Sequence, residues 1–338
     1  MDVQNELIKK RIEWVDTARG IGILFVMFGH CYLNTIFTFW FYSFHIALFF
    51  FLSGYIFSIN TKYIDFFTKK IKTLLVPYVF LALVTIFCNA ILALTHSNSY
   101  DILIILKLYI VQCRYTPLWF IPCLFIAEQL MYLMCYIKQK MRSEQFFIIV
   151  SAICMFVFFL YKCFITIDLP WNADLSMLAC SFICIGKYFQ EKNVINKIKV
   201  NSCILSFMFI VIIILSAINN YYFGKVDWYS NHFANPIIFV LTAILGIFTI
   251  IYFSLNVNIP ILKFLGRNSL IFFGLHRIVI DLTFVLYTKL GFIIESGNYI
   301  SILFALFSVI ISIIVLYPFN FIVVKYFPWC LGRKCRRS

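Results

Sequence analysis

Two ionisable side chains, Arg19 and His30, lie eleven positions apart in the first hydrophobic segment, Trp14-Val-Asp-Thr-Ala-Arg-Gly-Ile-Gly-Ile-Leu-Phe-Val-Met-Phe-Gly-His30. In an α-helix, eleven residues return to nearly the same face and span roughly 16 Å, about half of a bilayer core of ~30 Å. Arg19 is therefore expected at the membrane surface and His30 deep inside the membrane. An imidazole at that depth can act on a hydroxyl group as a general base, or attack a carbonyl carbon as a nucleophile. We therefore take His30 as a candidate catalytic residue.

Basic residues near the cytoplasmic surface have two alternative roles. Arg19 can hold a phosphate-rich ligand that arrives from the cytoplasm, or it can serve only as a basic anchor of the first helix. Lys69, Lys70 and Lys72 form a cluster that can bind the phosphates of a nucleotide-bearing donor or attract anionic lipid. Arg267, at the inner end of a later span, is predicted to join them in a cofactor-binding site.

Other candidate residues lie on three further hydrophobic segments. Glu128 is near mid-depth, where a carboxylate must find a partner or be protonated; it either orients a histidine or ties two helices together. His276 lies nine residues beyond Arg267, roughly 13 Å deeper, and so reaches a depth similar to that of His30. We expect the two histidines to share a buried polar chamber. The predicted catalytic residues are His30, Arg19 and Glu128, and the predicted substrate-binding residues are His45, Trp119 and His276.

These residues must be positioned by helices that span a membrane. The 338-residue chain is 63% hydrophobic and only 12% charged, with a mean hydropathy of +0.95, which excludes an ordinary soluble domain. Apolar windows of about 20 residues predict an all-α, polytopic integral membrane protein with about ten transmembrane helices in one domain over residues 1–338. The predicted spans lie near 17–35, 40–59, 74–95, 116–137, 146–165, 173–190, 202–220, 235–255, 268–288 and 299–324.

The distribution of charge predicts the orientation of the chain in the membrane. The formal net charge is +14, but the basic residues fall mostly in loops on one side of the predicted spans, so nucleic acid is not an expected partner. This asymmetry places both termini in the cytoplasm.

Residues 100–113 are apolar but short, and are predicted to be interfacial or re-entrant. The aromatic loop over residues 221–235 suits either a sugar or an interfacial belt, and we favour the belt. Cys and His spacing predicts no metal site.

Taken in order, the motifs resemble the membrane acyltransferase 3 family, and within it the fucose 4-O-acetylase-like and polysaccharide O-acetyltransferases. The similarity extends over nearly the whole chain. At one motif the chain departs from many relatives, which carry Arg-x-x-Arg where this chain has Lys69-x-x-Lys72; lysine supplies charge without the bidentate fork of arginine. The motifs that carry the resemblance are Arg19-x10-His30, Phe44-His-Ile-Ala-Leu-Phe-Phe-Phe-Leu-Ser-Gly-Tyr55, the basic run before Leu75-Val-Pro-Tyr78, Leu118-Trp-Phe120, the helix with Gly186, and Leu265-Gly-Arg-Asn-Ser-Leu270 with His276.

The resemblance implies an O-acetyltransferase of a bacterial cytoplasmic (inner) membrane. Its donor would be acetyl-CoA or another acyl-CoA used from the cytoplasm, and its acceptor a hydroxyl group of a cell-surface or lipid-linked sugar. His30 would correspond to the catalytic histidine, acting as general base or forming an acyl-histidine, and Arg19 to its motif partner. Membrane lipids are the other expected partners, and a homodimer stays open.

Two other classes of protein are also compatible with many spans and buried ionisable groups. A secondary transporter or a lipid-linked sugar flippase would share these features, but such proteins are commonly built from repeats with paired broken helices, and we find neither in this sequence. A non-catalytic membrane subunit of a larger assembly is the other alternative. Release of CoA from acetyl-CoA by membranes that contain the protein distinguishes the enzyme from both.

Overall fold

The computed structural model describes residues 12–31, 36–59, 61–95, 101–141, 143–165, 167–197, 201–292 and 299–333. Over these residues the chain consists of helices, turns and one isolated antiparallel bridge between Asp227 and His232. The structure therefore confirms the prediction of an all-α, polytopic membrane protein.

The helices follow the order of the hydrophobic segments. Short 3-10 turns precede α7 and α9 and follow α15, and a π-helical turn, Ile71–Leu75, joins α4 to α5. The α-helices are α1 Glu13–Gly29, α2 Ile36–Tyr42, α3 His45–Tyr55, α4 Tyr63–Lys70, α5 Val76–Thr95, α6 Ile102–Val111, α7 Phe120–Lys140, α8 Phe146–Phe164, α9 Ala173–Glu191, α10 Val194–Lys197, α11 Ser202–Phe223, α12 Pro236–Asn256, α13 Pro260–Arg267, α14 Ser269–Lys289 and α15 Tyr299–Tyr326.

Seven helical segments of the described chain are long and apolar enough to cross a membrane. The seven do not include α1, which has 17 residues, α3, which has 11, or α9, which has 19, so the predicted number of ten spans stays a prediction. The ten residues of α6 rise about 15 Å, too little to cross a bilayer core.

The first helix begins and ends earlier than the predicted span 17–35. It covers Glu13–Gly29, and the backbone N–H of His30 bonds to the carbonyl oxygens of Met27 and Phe28 as the last turn closes. Residues 32–35 of that predicted span lie outside the described residues. The earlier end of α1 leaves His30 at the C-terminus of the helix.

Glycines allow the helices around α1 and α3 to touch backbone to backbone. A Cβ atom on Gly20 would overlap the carbonyl oxygen of Leu262 in α13, and one on Gly266 would overlap the carbonyl oxygen of Asp16. Gly54 in α3 and Gly186 in α9 make the same kind of contact with each other's helix. Small residues give membrane helices this close approach, which fixes α13 against α1 and α9 against α3.

Burial separates a central group of helices from a peripheral one. The side chains of α3 and much of α1, α9 and α14 are buried, whereas α8 and α11 expose many large apolar side chains, such as Phe156 and Phe207 at 68% and 66%. Exposed phenylalanines on long apolar helices suit contact with lipid.

The two ends of the bundle have different chemistry. We call the end with Glu13 and α13 the inner end and the opposite end, where α1 stops at Gly29, the outer end. Lysines and arginines gather at the inner end, which is the charge asymmetry on which the predicted orientation of the chain rests.

Candidate active site

A cavity of about 470 Å³ opens among the outer ends of several helices. Its wall combines aromatic side chains with a few polar groups, the composition typical of small-molecule sites. The elements that meet there are the end of α1, the junction of α2 with α3, the residues just before α7, the loop between α11 and α12, and α14. The lining includes His30, Tyr42, His45, Tyr115, Trp119, Tyr229 and Arg277.

Arg277 of α14 joins two groups at this cavity. Its Nη1 lies 3.2 Å from Nδ1 of His30, and its Nε lies 2.9 Å from both carboxylate oxygens of Asp281, one turn further along the helix. Arg277 is the ninth of the 21 residues of α14, so the contact with His30 lies near the middle of a helix about 31 Å long. A paired charge at such depth marks a functional site in a membrane protein.

His276 lies behind His30 and does not line the cavity. The centroids of the two imidazole rings are 5.0 Å apart, which brings together the two histidines that were predicted to share one depth. Nδ1 of His276 donates to the carbonyl oxygen of Phe272 at 2.8 Å, and its Nε2 is buried with no hydrogen-bond partner among the described residues. His276 therefore supports the ring of His30 from the protein side.

His45 lines the cavity from the first turn of α3. Its Nδ1 lies 2.8 Å from the carbonyl oxygen of Phe41, and its ring packs against the edge of Tyr42, with the centroids 5.2 Å apart. The hydroxyl of Tyr42 donates to the carbonyl oxygen of Gly29 at 2.8 Å, which satisfies a free carbonyl at the end of α1. Tyr42, the last residue of α2, therefore links the end of α1, next to His30, to the start of α3 at His45.

The loop between α11 and α12 folds over the cavity. Its Trp228 and Tyr229 both line the cavity, but Trp228 packs into the bundle and is 2% exposed, whereas Tyr229 is 44% exposed. The interfacial belt favoured from the sequence fits Tyr221 and Tyr222, which are exposed, but it is wrong for Trp228.

The same loop is tied to the bundle by buried polar groups. Asn231 donates from Nδ2 to the Oδ2 of Asp174 at 3.1 Å, and Asp174 also forms an ion pair with the buried Arg114. Lys225 places its ammonium group 3.8 Å from the centroid of the Tyr42 ring. Burial lowers the pKa of Lys225, while the nearby carboxylate of Asp227 opposes that shift.

The predicted phosphate-binding residues lie at the inner end, away from the cavity. Arg267 donates from Nε to the Oδ2 of Asp16 at 3.1 Å, one turn from Arg19, and Arg333 donates to the carbonyl oxygen of Arg267 at 2.8 Å. Gly332, next to Arg333, packs on the backbone of Lys72 in the π-helical turn. These contacts join α1, α13, the π-helical turn and the segment after α15 into one basic surface.

Glu128 does not reach the cavity or either histidine. Its Oε2 lies 2.8 Å from Nζ of Lys70, and the Lys70 ammonium also lies over the rings of Phe57 and Phe66. Of the two roles considered for Glu128, the structure shows a tie between helices, because the buried carboxylate holds α4 against α7. We do not retain Glu128 as a catalytic residue for this reason.

The predicted site residues therefore divide into two groups. His30, His45 and Trp119 line the cavity with His276 behind them, while Arg19, Lys69, Lys70, Lys72 and Arg267 lie at the inner end. Sequence reasoning missed Arg277 and Asp281. The signal was present, since a charged pair spaced i,i+4 inside an apolar span is itself evidence for a site. Tyr42, Tyr115 and Tyr229 had no comparable signal, because tyrosine is common at membrane interfaces.

Comparison with known proteins gives one finding. A family model described as an acyltransferase domain, the model of the acyltransferase 3 family, matches residues 12–320, which include every cavity residue named above. No curated protein and no solved structure matches the chain.

Proposed function

The chain belongs to the acyltransferase 3 family of membrane acyltransferases, and from this premise we propose that it transfers an acetyl group from acetyl-CoA to a hydroxyl group of a cell-surface or lipid-linked sugar. The proposal includes a location in a bacterial cytoplasmic membrane, with the inner end in the cytoplasm. The observation that carries it is the contact of His30 with Arg277 at the wall of an aromatic cavity open to the outer end.

The cavity supports a sugar as the acceptor. A sugar ring has apolar C–H faces that pack on aromatic side chains and hydroxyl groups that need hydrogen-bonding partners, and the wall provides both kinds of group. Tyr115, Trp119 and Tyr229 supply aromatic surface, and His45 and Arg277 supply polar contacts. Because these groups lie at the outer end, a sugar outside the cytoplasm reaches them directly.

The basic surface at the inner end supports acyl-CoA as the donor. The nucleotide part of CoA carries several phosphate charges, which Arg and Lys side chains recognise. Lys69, Lys72 and Arg267 are exposed there. The acyl thioester has to extend from this surface toward His30, along α1, over the roughly 16 Å that separate Arg19 from His30.

The reaction is acyl transfer from the donor bound at the inner end to the acceptor bound in the cavity. The acceptor oxygen attacks the thioester carbonyl carbon, the C–S bond breaks, and the electron pair leaves with sulfur as the CoA thiolate. His30 lies where the two substrates meet, and Arg277 provides a positive charge beside it that stabilises negative charge on the carbonyl oxygen. The sequence predicts that His30 also removes the proton of the hydroxyl group.

The proposal is tested with the full chain in proteoliposomes. Acetyl-CoA labelled in its acetyl group is supplied on one side and a panel of sugars and lipid-linked sugars on the other, and labelled ester and free CoA thiol are measured. We expect equal amounts of ester and CoA, and a fall of about 10²-fold or more in the His30→Ala variant. Tyr222→Ala is the control, because Tyr222 is exposed and lies outside the cavity lining.

Two results would overturn the proposal. Transfer at the wild-type rate by His30→Ala removes His30 from the reacting centre. Movement of a lipid-linked sugar across the bilayer without any release of CoA identifies a flippase or transporter instead.

A further inference from the structure

The two histidines that line the cavity have opposite hydrogen-bond patterns, and His30 has a nitrogen that accepts. Nδ1 of His30 faces the Nη1 of Arg277 at 3.2 Å, and a guanidinium group can only donate. That nitrogen of His30 therefore carries the lone pair, and in the neutral ring the other nitrogen carries the proton. The other nitrogen of His30 is thus an N–H donor on a side chain that lines the cavity.

His45 has a nitrogen that donates. Its Nδ1 lies 2.8 Å from the carbonyl oxygen of Phe41, and a carbonyl oxygen can only accept. Nδ1 therefore carries the proton and Nε2 of the neutral ring carries a lone pair. This hydrogen bond to the backbone fixes the tautomer of His45.

The surroundings of His45 hold its ring in that orientation. The rings of Phe41 and Tyr42 pack around it with centroids 5.8 and 5.2 Å away, and the side chain is buried at 6% exposure while it lines the cavity. An unprotonated nitrogen held next to a cavity is the arrangement that a general base requires. Lys225 lies over the ring of Tyr42, and Asp281 pairs with Arg277. The other ionisable groups of the cavity wall are Tyr42, Tyr115, Asp227, Tyr229, His30 and Arg277.

We infer that His45, rather than His30, takes the proton of the acceptor hydroxyl group, and that His30 donates a hydrogen bond to the thioester carbonyl oxygen. This inference rests on the proposed function. The hydroxyl oxygen forms a bond with the carbonyl carbon while its proton passes to Nε2 of His45. The C–S bond then breaks, the thiolate leaves with the electron pair, and His45 returns the proton to the sulfur. The products are the ester and CoA as a thiol, and both imidazoles are neutral again.

The test compares His45→Gln with His45→Ala in the proteoliposome assay. Glutamine can still donate to the carbonyl oxygen of Phe41 but has no basic nitrogen, so this variant keeps the local hydrogen bond and loses the base. We expect kcat to fall about 10²-fold or more in both variants, with the KM for acyl-CoA within about twofold of wild type. Added imidazole is expected to raise the rate of His45→Ala at least about tenfold. A purely structural role of His45 would not produce this rescue.

The pH profile gives a second readout. The wild-type rate should fall as the pH is lowered through the range in which an imidazole gains a proton, because a protonated base cannot accept another. His45→Gln should lose this acid limb, and Tyr222→Ala, at an exposed residue outside the cavity lining, should keep it.

Each outcome separates the inference from the proposed function. If both His45 variants turn over at the wild-type rate, or if imidazole rescues His30→Ala but not His45→Ala, the base is not His45 and the inference is wrong. If the wild-type protein releases no CoA with any sugar acceptor, the proposed function itself fails.

Discussion

Arg277 and His30 are 247 positions apart in the chain, yet Nη1 of the arginine lies 3.2 Å from Nδ1 of the histidine. The same guanidinium group is held from the other side by both carboxylate oxygens of Asp281. A guanidinium group held on two sides next to the imidazole is suited to electrostatic stabilisation of negative charge that develops beside it.

Replacement of Arg277 therefore tests the site most directly. Arg277→Ala is expected to lower kcat about 10²- to 10³-fold, because the positive charge next to His30 is lost. Arg277→Lys should recover little of this loss, since an ammonium group cannot contact His30 and Asp281 at once in a fixed fork. Steady-state CoA release in proteoliposomes measures both variants. Full activity in Arg277→Lys would show that charge alone is sufficient.

The ion pair between Lys70 and Glu128 is expected to serve stability. Glu128→Leu and Lys70→Met should each lower the free energy of unfolding by about 3 kcal/mol, because each leaves a buried or half-buried charge without its partner. The double variant should be more stable than either single variant. Thermal unfolding in detergent gives the stabilities, and CoA release gives the activities. A large loss of kcat in Glu128→Gln with unchanged unfolding temperature would instead restore the predicted catalytic role.

The hydrogen bond from Asn231 to Asp174 is expected to position the loop over the acceptor. Asn231→Leu should raise the KM for the sugar about tenfold, because Tyr229 follows the loop when its anchor is lost, while the KM for acyl-CoA stays unchanged. Tyr222→Ala is the control, since this exposed tyrosine lies in the last turn of α11 and outside the cavity lining. Equal rises in both KM values would argue against a specific effect on the acceptor.

The exposed lysines at the inner end are expected to bind the phosphates of the donor. The double variant Lys69→Gln, Lys72→Gln should raise the KM for acetyl-CoA about tenfold and weaken its dependence on salt, because exposed charges are screened. Lys192→Gln removes a basic group at another inner loop, where Lys192 pairs with Glu144, and should have no effect on that KM. Comparison of the KM for acetyl-CoA with that for its 3′-dephospho form shows whether the 3′-phosphate contributes to binding. An unchanged KM in the double variant would leave these lysines as lipid contacts.

Much of the architecture could be predicted because it depends on local sequence. Long apolar runs determine which segments become helices, and the loops between them carry the charges that orient the chain. The helical period alone indicated that Arg19 and His30 lie on one helix about 16 Å apart, and the depth argument brought His276 close to His30, where the structure has it.

The remaining features depend on how the helices pack, which no local pattern determines. Arg277 contacts His30 because of the rotation and depth at which α14 packs against α1. Glu128 pairs with Lys70 rather than with a histidine because α4 packs against α7. The break between α2 and α3 turns the Phe41 carbonyl group toward His45 and so selects its tautomer. The sequence alone determined the helices and the residue types that could do chemistry. Only the tertiary structure decided which of them meet, because hydrogen bonds and ion pairs act over a few ångströms between groups far apart in the chain.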